Sequence, residues 1–203
     1  MKQMRALRNI LLAACISLVS LSLGAQAPKA LEGAVRAAAM ERILQANDIR
    51  TTLELDFEMK RHSALLTEPL VSRGKAAFSF PDKVRWEVTS PRPSVFVLDG
   101  STETDRRRQS LLRSVGKVSE KGLINEEDFD VTIYAAGKQW QVDLKPLRRD
   151  LGQMFTLITL MLDSASGQLR SIVLTDTGGD LTEIVLSGMT KGRTLDPGLF
   201  AKP

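Results

Sequence analysis

A strict two-residue alternation over residues 53–60 constrains this chain more than any other feature. Apolar side chains occupy Leu53, Leu55, Phe57 and Met59, and charged side chains occupy the four remaining positions. Successive residues of a β-strand point to opposite faces of a sheet. The pattern therefore predicts a strand that places its apolar groups on one face of a sheet and its charges on the other.

Further segments of the same kind, separated by turns rich in Gly, Pro, Ser and Asp, predict an extended sheet. These predicted strands are Val71 to Phe80, Val84 to Val88, Val95 to Leu98, Phe129 to Ala135, Trp140 to Lys145, Phe155 to Leu162, Leu169 to Thr175 and Leu181 to Ser187. Ala-rich helical spacing predicts one helix over Pro28 to Asp48. The section Arg106 to Asn125 is weakly patterned and allows a short amphipathic helix. With about ten strands and no strand–helix alternation, we expect a mainly β (α+β) antiparallel domain.

The first 25 residues have the three parts of a secretory signal peptide. Basic residues at Lys2, Arg5 and Arg8 precede an uncharged run from Ile10 to Leu23, and small or polar residues follow. The run is shorter than the roughly twenty residues of a transmembrane helix. We therefore expect cleavage after residue 25, export of the protein, and a single domain over residues 26–203.

A second interpretation of the N terminus stays open. Leu12-Ala13-Ala14-Cys15 resembles a bacterial lipobox, in which the Cys becomes a lipid-anchored N terminus. The apolar core before it would be only Ile10 to Ala14, and the apolar run continues past Cys15, so the signal peptide is favoured. If Ala25 is the cleavage site, the mature chain contains no Cys, and burial alone must stabilise it.

Charge and composition argue against several classes of function. The chain has 28 basic and 24 acidic residues, and removal of residues 1–25 leaves 25 against 24, which is a poor balance for nucleic-acid binding. One Cys and one His, His62, exclude most metal sites and nucleophile–base pairs. The sequence contains no GxSxG, P-loop, HExxH or CxxC motif. We expect no enzyme, no metal and no cofactor; a carboxylate hydrolase has no positive sequence signal.

The apolar face of so large a sheet must be filled or left hollow. A ten-stranded antiparallel sheet curls strongly, and one helix is too small to fill the space inside it. Either the sheet closes on its own side chains, or it leaves an apolar cavity. Any one aromatic residue alone is expected to be ordinary core, so the cavity hypothesis rests on the whole set. The predicted cavity residues are Leu55, Phe57, Met59, Phe78, Phe80, Val84, Trp86, Trp140 and Val142.

Two blocks of the sequence resemble a known family. Phe57 followed by Pro69-Leu70-Val71-Ser72-Arg73-Gly74 resembles one block, and the run from Phe78 to Pro91, FSFPDKVRWEVTSP, resembles the more specific one. Asp99-Gly100 lies where the family has its next hairpin. The family is the LolA-type periplasmic carrier of outer-membrane lipoproteins, and the likeness extends from the first helix to Phe200.

The resemblance implies an unclosed β-barrel with a short helical lid over a cavity that takes acyl chains. It implies a monomeric periplasmic carrier that receives lipoproteins from an inner-membrane releasing transporter and delivers them to an outer-membrane acceptor. The best-studied carriers have an Arg where this chain has Phe80, so the resemblance supports the fold better than it supports their hand-off mechanism. A lipid- or lipoprotein-sensing regulatory module of the same fold, binding a membrane partner, is the alternative.

A basic cluster at Arg106, Arg107 and Arg108 has two interpretations. The simpler one is a solvated loop. The functional one is a docking patch for an acidic partner or for anionic headgroups.

Overall fold

Nine antiparallel strands form a single sheet in the computed structural model, which describes residues 28–48, 50–80, 83–99 and 124–201. The expected signal peptide, Cys15, the basic cluster Arg106–Arg108 and the segment 100–123, where the short helix was expected, lie outside the described residues. The strands are β1 (Thr52–His62), β2 (Leu70–Ser79), β3 (Lys83–Ser90), β4 (Ser94–Asp99), β5 (Phe129–Ala136), β6 (Gln139–Pro146), β7 (Phe155–Asp163), β8 (Leu169–Asp176) and β9 (Leu181–Lys191).

The strand order is β4-β3-β2-β1-β9-β8-β7-β6-β5, and every neighbouring pair is antiparallel. Because β1 pairs with the last strand, the two strands that are consecutive in the middle of the chain, β4 and β5, lie at opposite edges of the sheet. The nine strands therefore form an open sheet. This confirms the predicted fold class, with nine regular strands in the described residues where about ten were expected.

A short extended segment covers the edge of β5. The Leu31 N–H donates to the Ile133 carbonyl at 2.7 Å, and the Ala135 N–H donates to the Lys29 carbonyl at 3.2 Å. Ala30 thereby forms an isolated antiparallel bridge with Tyr134. An unpaired edge invites aggregation, so this segment protects one of the two edges.

Three helical segments accompany the sheet among the described residues: α1 (Gly33–Ala46), α2 (Arg149–Gly152) and a 3₁₀ turn at Pro197–Phe200. The predicted helix begins five residues later than expected, because the residues before it pair with β5 instead of coiling. Only Ala39 and Ile43 of α1 are fully buried. No helix among the described residues is long and apolar enough to cross a bilayer.

Asn47 joins the end of α1 to the sheet. Its buried side-chain amide donates to the carbonyls of Ile43 at 2.7 Å and Gly167 at 2.8 Å, and its side-chain oxygen accepts from the Leu169 N–H at 3.0 Å. Gly167 has a φ of +75°, and a Cβ there would lie 2.8 Å from the Arg42 carbonyl oxygen. The helix end and the β7–β8 turn are therefore locked together by hydrogen bonds and close packing.

We expect Asn47→Ala to lower the free energy of unfolding by about 2 kcal/mol, because it leaves buried backbone groups without partners. Urea unfolding measures this change. Gln45→Ala, which removes an exposed Gln45–Glu41 bond on the same helix, is the control and should stay within about 0.5 kcal/mol of the wild type. Equal effects of the two substitutions would contradict the role assigned to Asn47.

Candidate functional site

Cross-strand register identifies the residues that share the apolar face of the sheet. Phe57 of β1 lies opposite Gly74 of β2 and Leu186 of β9, and Leu55 lies opposite Ala76. Ala76 in turn lies opposite Trp86 of β3, which lies opposite Phe96 of β4. Residues directly opposite one another in a sheet point to the same face, so apolar side chains continue across five strands.

Helix α1 covers only part of this face. Its buried residues Ala39 and Ile43 pack with strands β5 to β8, which we call the covered half. The buried cluster there consists of Ala39, Ile43, Ile124, Phe129, Ile133, Val142, Leu144, Leu151, Phe155, Ile158, Leu160, Leu162 and Leu169. These side chains are aliphatic with two phenylalanines, and they form a conventional packed core.

A second cluster lies on β1, β2, β3 and β9, and we call these strands together with β4 the open half. Its buried members are Leu53, Leu55, Phe57 and Ala76. Seven further members are only partly buried: Met59, Phe78, Trp86, Val88, Ile184, Leu186 and Met189. No residue of α1 or α2 belongs to this cluster. In the part of the chain that the structure describes, the open half therefore presents a strip of incompletely covered apolar side chains.

A stacked aromatic pair forms the centre of the open half. The rings of Phe57 and Trp86 have centroids 4.0 Å apart and planes 23° apart. Phe57 reaches Trp86 across β2 because Gly74 has no side chain: a Cβ there would lie 2.6 Å from Phe57 Cζ and 1.9 Å from the Glu87 carbonyl oxygen. Gly74 thus allows the Phe57 ring to lie flat against β2, the strand between β1, which contains Phe57, and β3, which contains Trp86.

The structure brings most of the predicted cavity residues together. Leu55, Phe57, Met59, Phe78 and Trp86 belong to the open-half cluster. Val84 is buried directly opposite Phe78 and shares its face. That these residues line a cavity for a ligand stays a prediction at this point.

Three predicted residues lie elsewhere. Val142 is fully buried in the covered half, and Trp140 packs against the same cluster, with the Arg42 guanidinium 6.0 Å from its ring centroid. Phe80 lies in the turn after β2 and is 43% exposed. The expected single set of nine residues is therefore divided between two clusters and a turn. Alternation assigns a residue to a face, but it does not reveal which part of that face a helix covers.

Sequence reasoning missed three members of the open half on β9: Ile184, Leu186 and Met189. Ile184 and Leu186 lie in the predicted strand and pair with Met59 and Phe57, so their alternation was the available signal. The strand continues beyond its predicted end to Lys191 through an irregularity in register near Gly188, whose φ is +59°. That bulge breaks the alternation, so the sequence pattern does not assign Met189 to the apolar face.

The opposite face of the open half is ionic. Glu58 accepts from Arg73 at 2.7 Å and pairs with Lys60 at 3.2 Å. Hydrogen bonds from Arg73 and then Lys60 lower the pKa of the Glu58 carboxyl below its usual value. Arg85 binds Glu87 at 2.9 Å and donates to the Leu199 carbonyl at 3.1 Å, which attaches the C-terminal 3₁₀ turn to this face. Only the other face is therefore available as an apolar surface.

Helix α1 is held over the covered half at both ends. Arg36 near its start forms an ion pair with Glu126. The Lys191 ammonium donates to the carbonyls of Ala46 and Asp48 at its end. Burial lowers the pKa of Lys191, and Asp48 partly opposes that effect. The contacts of Arg36 and Asn47 fix the helix to the covered half, and Lys191 joins the end of the helix to the last residue of β9.

The described residues hold no group of three or more His, Cys, Asp or Glu side chains that could bind a metal ion. His62 is exposed at the end of β1. The chemistry available at the open half is thus that of hydrocarbon, aromatic and thioether groups, which bind apolar chains and do not activate a nucleophile.

Comparison with known proteins gives a family match over most of the chain. The family described as "Outer membrane lipoprotein carrier protein LolA" matches residues 50–202. An outer-membrane lipoprotein carrier protein from Dechloromonas aromatica is 28% identical over 162 residues, covering 73% of this chain and 76% of that protein. One from Nitrosomonas europaea is 27% identical over 169 residues, covering 77% and 76%.

Solved structures also match the chain, at low sequence identity. A LolA superfamily protein from Nitrosomonas europaea has a TM-score of 0.44 and 12% identity, over 80% of this chain and 97% of that one. The Pseudomonas aeruginosa MucA/MucB complex has a TM-score of 0.43 and 12% identity, over 82% of this chain and 60% of the matched chain. Both TM-scores are below 0.5, and the family assignment rests on the sequence match.

We expect Gly74→Ala to lower the free energy of unfolding by about 1–3 kcal/mol, because the added methyl overlaps the Glu87 carbonyl and the Phe57 ring. Separation of Phe57 from Trp86 should also change the tryptophan emission of the folded protein. Gly152→Ala is the matched control, because a Cβ there meets nothing within 4 Å. If neither variant changes the urea unfolding curve or the fluorescence, the claim that Gly74 is closely packed against Phe57 and Glu87 is wrong.

Proposed function

The chain belongs to the LolA family of outer membrane lipoprotein carrier proteins, and from this premise we propose that it shields the acyl chains of lipoproteins, or of a related lipid, on the apolar face of its open half. The observation that carries the proposal is the incomplete burial of the seven side chains from Met59 to Met189 in the second cluster. The helices among the described residues do not cover these side chains, whereas α1 covers the first cluster.

The energetics of transport require such a surface. Three acyl chains contain about 45 methylenes, and at about 0.8 kcal/mol each their exposure to water costs some tens of kcal/mol. A lipidated protein cannot cross an aqueous compartment unaided at that cost. It needs an apolar surface that is accessible when empty and that releases its cargo to a stronger acceptor.

The side chains of the open half suit hydrocarbon chains of varied shape. Met59 and Met189 are unbranched and polarizable, and such side chains adapt to irregular apolar ligands. Phe57 and Trp86 add a broad, rigid surface beside them. All eleven members of the cluster are apolar, so we infer a binding protein without an enzymatic step.

A binding experiment with matched variants tests the proposal. Ile184 lies opposite Met59 on the apolar face, and its neighbour Val185 lies opposite Glu58 on the ionic face. We expect Ile184→Gln to weaken binding of a synthetic peptide with a tripalmitoylated N-terminal Cys by roughly tenfold, because an amide replaces hydrocarbon. Val185→Gln should bind like the wild type.

The emission of Trp86, measured in a Trp140→Phe background, reports this binding because Trp86 lies in the cluster and Trp140 lies outside it. Equal effects of the two Gln variants, or no binding of the lipopeptide, would contradict the carrier proposal. A regulatory protein partner, and no lipid, bound to the protein after mild extraction would favour the alternative role as a regulatory module.

We further propose that the carrier works in the periplasm, between an inner-membrane releasing transporter and an outer-membrane acceptor. The support is the family and the pattern of residues 1–25, which is typical of a signal peptide. The exported protein should begin at Gln26, as measured by N-terminal sequencing. A lipid-modified Cys15 at the N terminus would instead show that the protein is anchored to a membrane.

A further inference from the structure

Three exposed leucines lie at one end of the open half. Leu65 is 93% exposed and Leu70 is 58% exposed, and Leu66 is also exposed. Leu65 and Leu66 lie in the connection between β1 and β2, which we call the β1–β2 tip (residues 63–69). A soluble protein exposes single apolar residues freely, whereas a cluster of them at one place indicates an interaction site.

The β1–β2 tip is an ordered turn. The Leu66 N–H donates to the Ser63 carbonyl at 3.0 Å, and the Leu65 N–H donates to the Ser63 hydroxyl oxygen at 3.4 Å. At the root of the tip, where β1 ends, Asp180 of the β8–β9 turn accepts a hydrogen bond from Arg61 at 3.0 Å. Hydrogen bonds from the Ser63 hydroxyl and then Arg61 lower the pKa of the Asp180 carboxyl. The root is thus tied to the β8–β9 turn while the apex presents Leu65 to solvent.

The tip is continuous with the apolar face of the open half. Leu70 lies opposite Arg61, two residues beyond the Met59–Ile184 pair of the cluster, and it therefore shares the face of Met59. At about 3.3 Å per residue, Leu70 lies less than about 10 Å from the end of the cluster. An acyl chain that leaves this end of the cluster would pass over Leu70.

We propose that the β1–β2 tip contacts the surface of a lipid bilayer, with Leu65 inserted among the headgroups. The tip exposes Leu65 and Leu66 in a turn between two strands, beside the exposed Glu68, and exposed aliphatic side chains suit penetration between lipids. Protein interfaces are instead anchored mainly by aromatic and Arg side chains in complementary pockets, and Leu is under-represented among their hot spots. Arg92, exposed in the β3–β4 turn at the same end of the sheet, has the charge that phosphate headgroups attract.

The contact is weak and reversible, because it buries only a few side chains. Membrane affinity grows with the apolar area buried, and even one long acyl chain gives only marginal binding. A transient contact suits a carrier that loads and unloads at membranes and is soluble between them. That the tip touches membranes while cargo is loaded or unloaded rests on the proposed function, whereas the bilayer contact itself does not require bound cargo.

Flotation of the purified protein with protein-free vesicles of phosphatidylethanolamine and phosphatidylglycerol tests this contact. We expect the wild type to associate with the vesicles and Leu65→Glu to associate roughly tenfold less, since burial of one Leu contributes about that factor. Val35→Glu is the matched control, because Val35 is 63% exposed on α1 over the covered half. It should float like the wild type.

Binding of the tripalmitoylated peptide in solution separates this proposal from the proposed function. Loss of flotation with unchanged peptide binding in Leu65→Glu supports a bilayer contact made by the tip. No flotation of the wild type would overturn the proposal and leave a protein partner as the occupant. Equal flotation of all three proteins, or loss of peptide binding by Leu65→Glu, would also overturn it. Failure of the wild type to bind the peptide would contradict the carrier role alone.

Discussion

The one long helix among the described residues, α1, cannot cover a nine-stranded sheet. The 14 residues of α1 extend about 21 Å, whereas nine strands about 4.8 Å apart span about 38 Å. Helix α1 lies on strands β5 to β8, where Ala39 and Ile43 complete a dense aliphatic core. Arg36 and Asn47 fix it there by side-chain contacts at its two ends. In the described part of the chain, the apolar face of the open half is the part of the sheet that α1 leaves uncovered.

This division reconciles stability with binding. A fully packed interior leaves no room for a ligand, and an entirely hollow sheet would lack the burial that stabilises a domain. Here the covered half supplies the packed core, and the open half keeps apolar groups partly accessible. The ionic reverse face, with Arg73, Glu58 and Arg85, ensures that only one side of the open strands favours hydrocarbon. Gly74 leaves space for the Phe57 ring, which stacks against Trp86 on the apolar face.

Most of the fold could be predicted because strand patterning is local. The alternation at Leu53–Met59 fixed the face of each residue in β1, and the structure places all four apolar residues in one cluster. Helix α1 begins later than expected because residues 29–31 pair with β5, a tertiary contact that no local pattern contains. The extension of β9 beyond Ser187 was missed for a similar reason, since a bulge interrupts its period.

The candidate site was less predictable than the fold. Trp140 and Val142 have the same alternating pattern as Trp86 and Val84, yet they lie beneath or beside the helix. The position of a helix on a sheet depends on packing between distant segments, which the spacing of apolar residues does not specify. The exposure of Leu65 could not be predicted either, because no sequence pattern distinguishes a buried Leu in a turn from a solvent-exposed one.

Photo-crosslinking is the most direct test of the division into a covered and an open half. A lipopeptide with a diazirine in its acyl chain would be bound to the protein, irradiated, and its attachment sites mapped by mass spectrometry. The account predicts adducts on β1, β2, β3 and β9, at residues such as Met59, Trp86 and Ile184. Adducts confined to α1 and strands β5 to β8, around Ile43 and Val142, would contradict it.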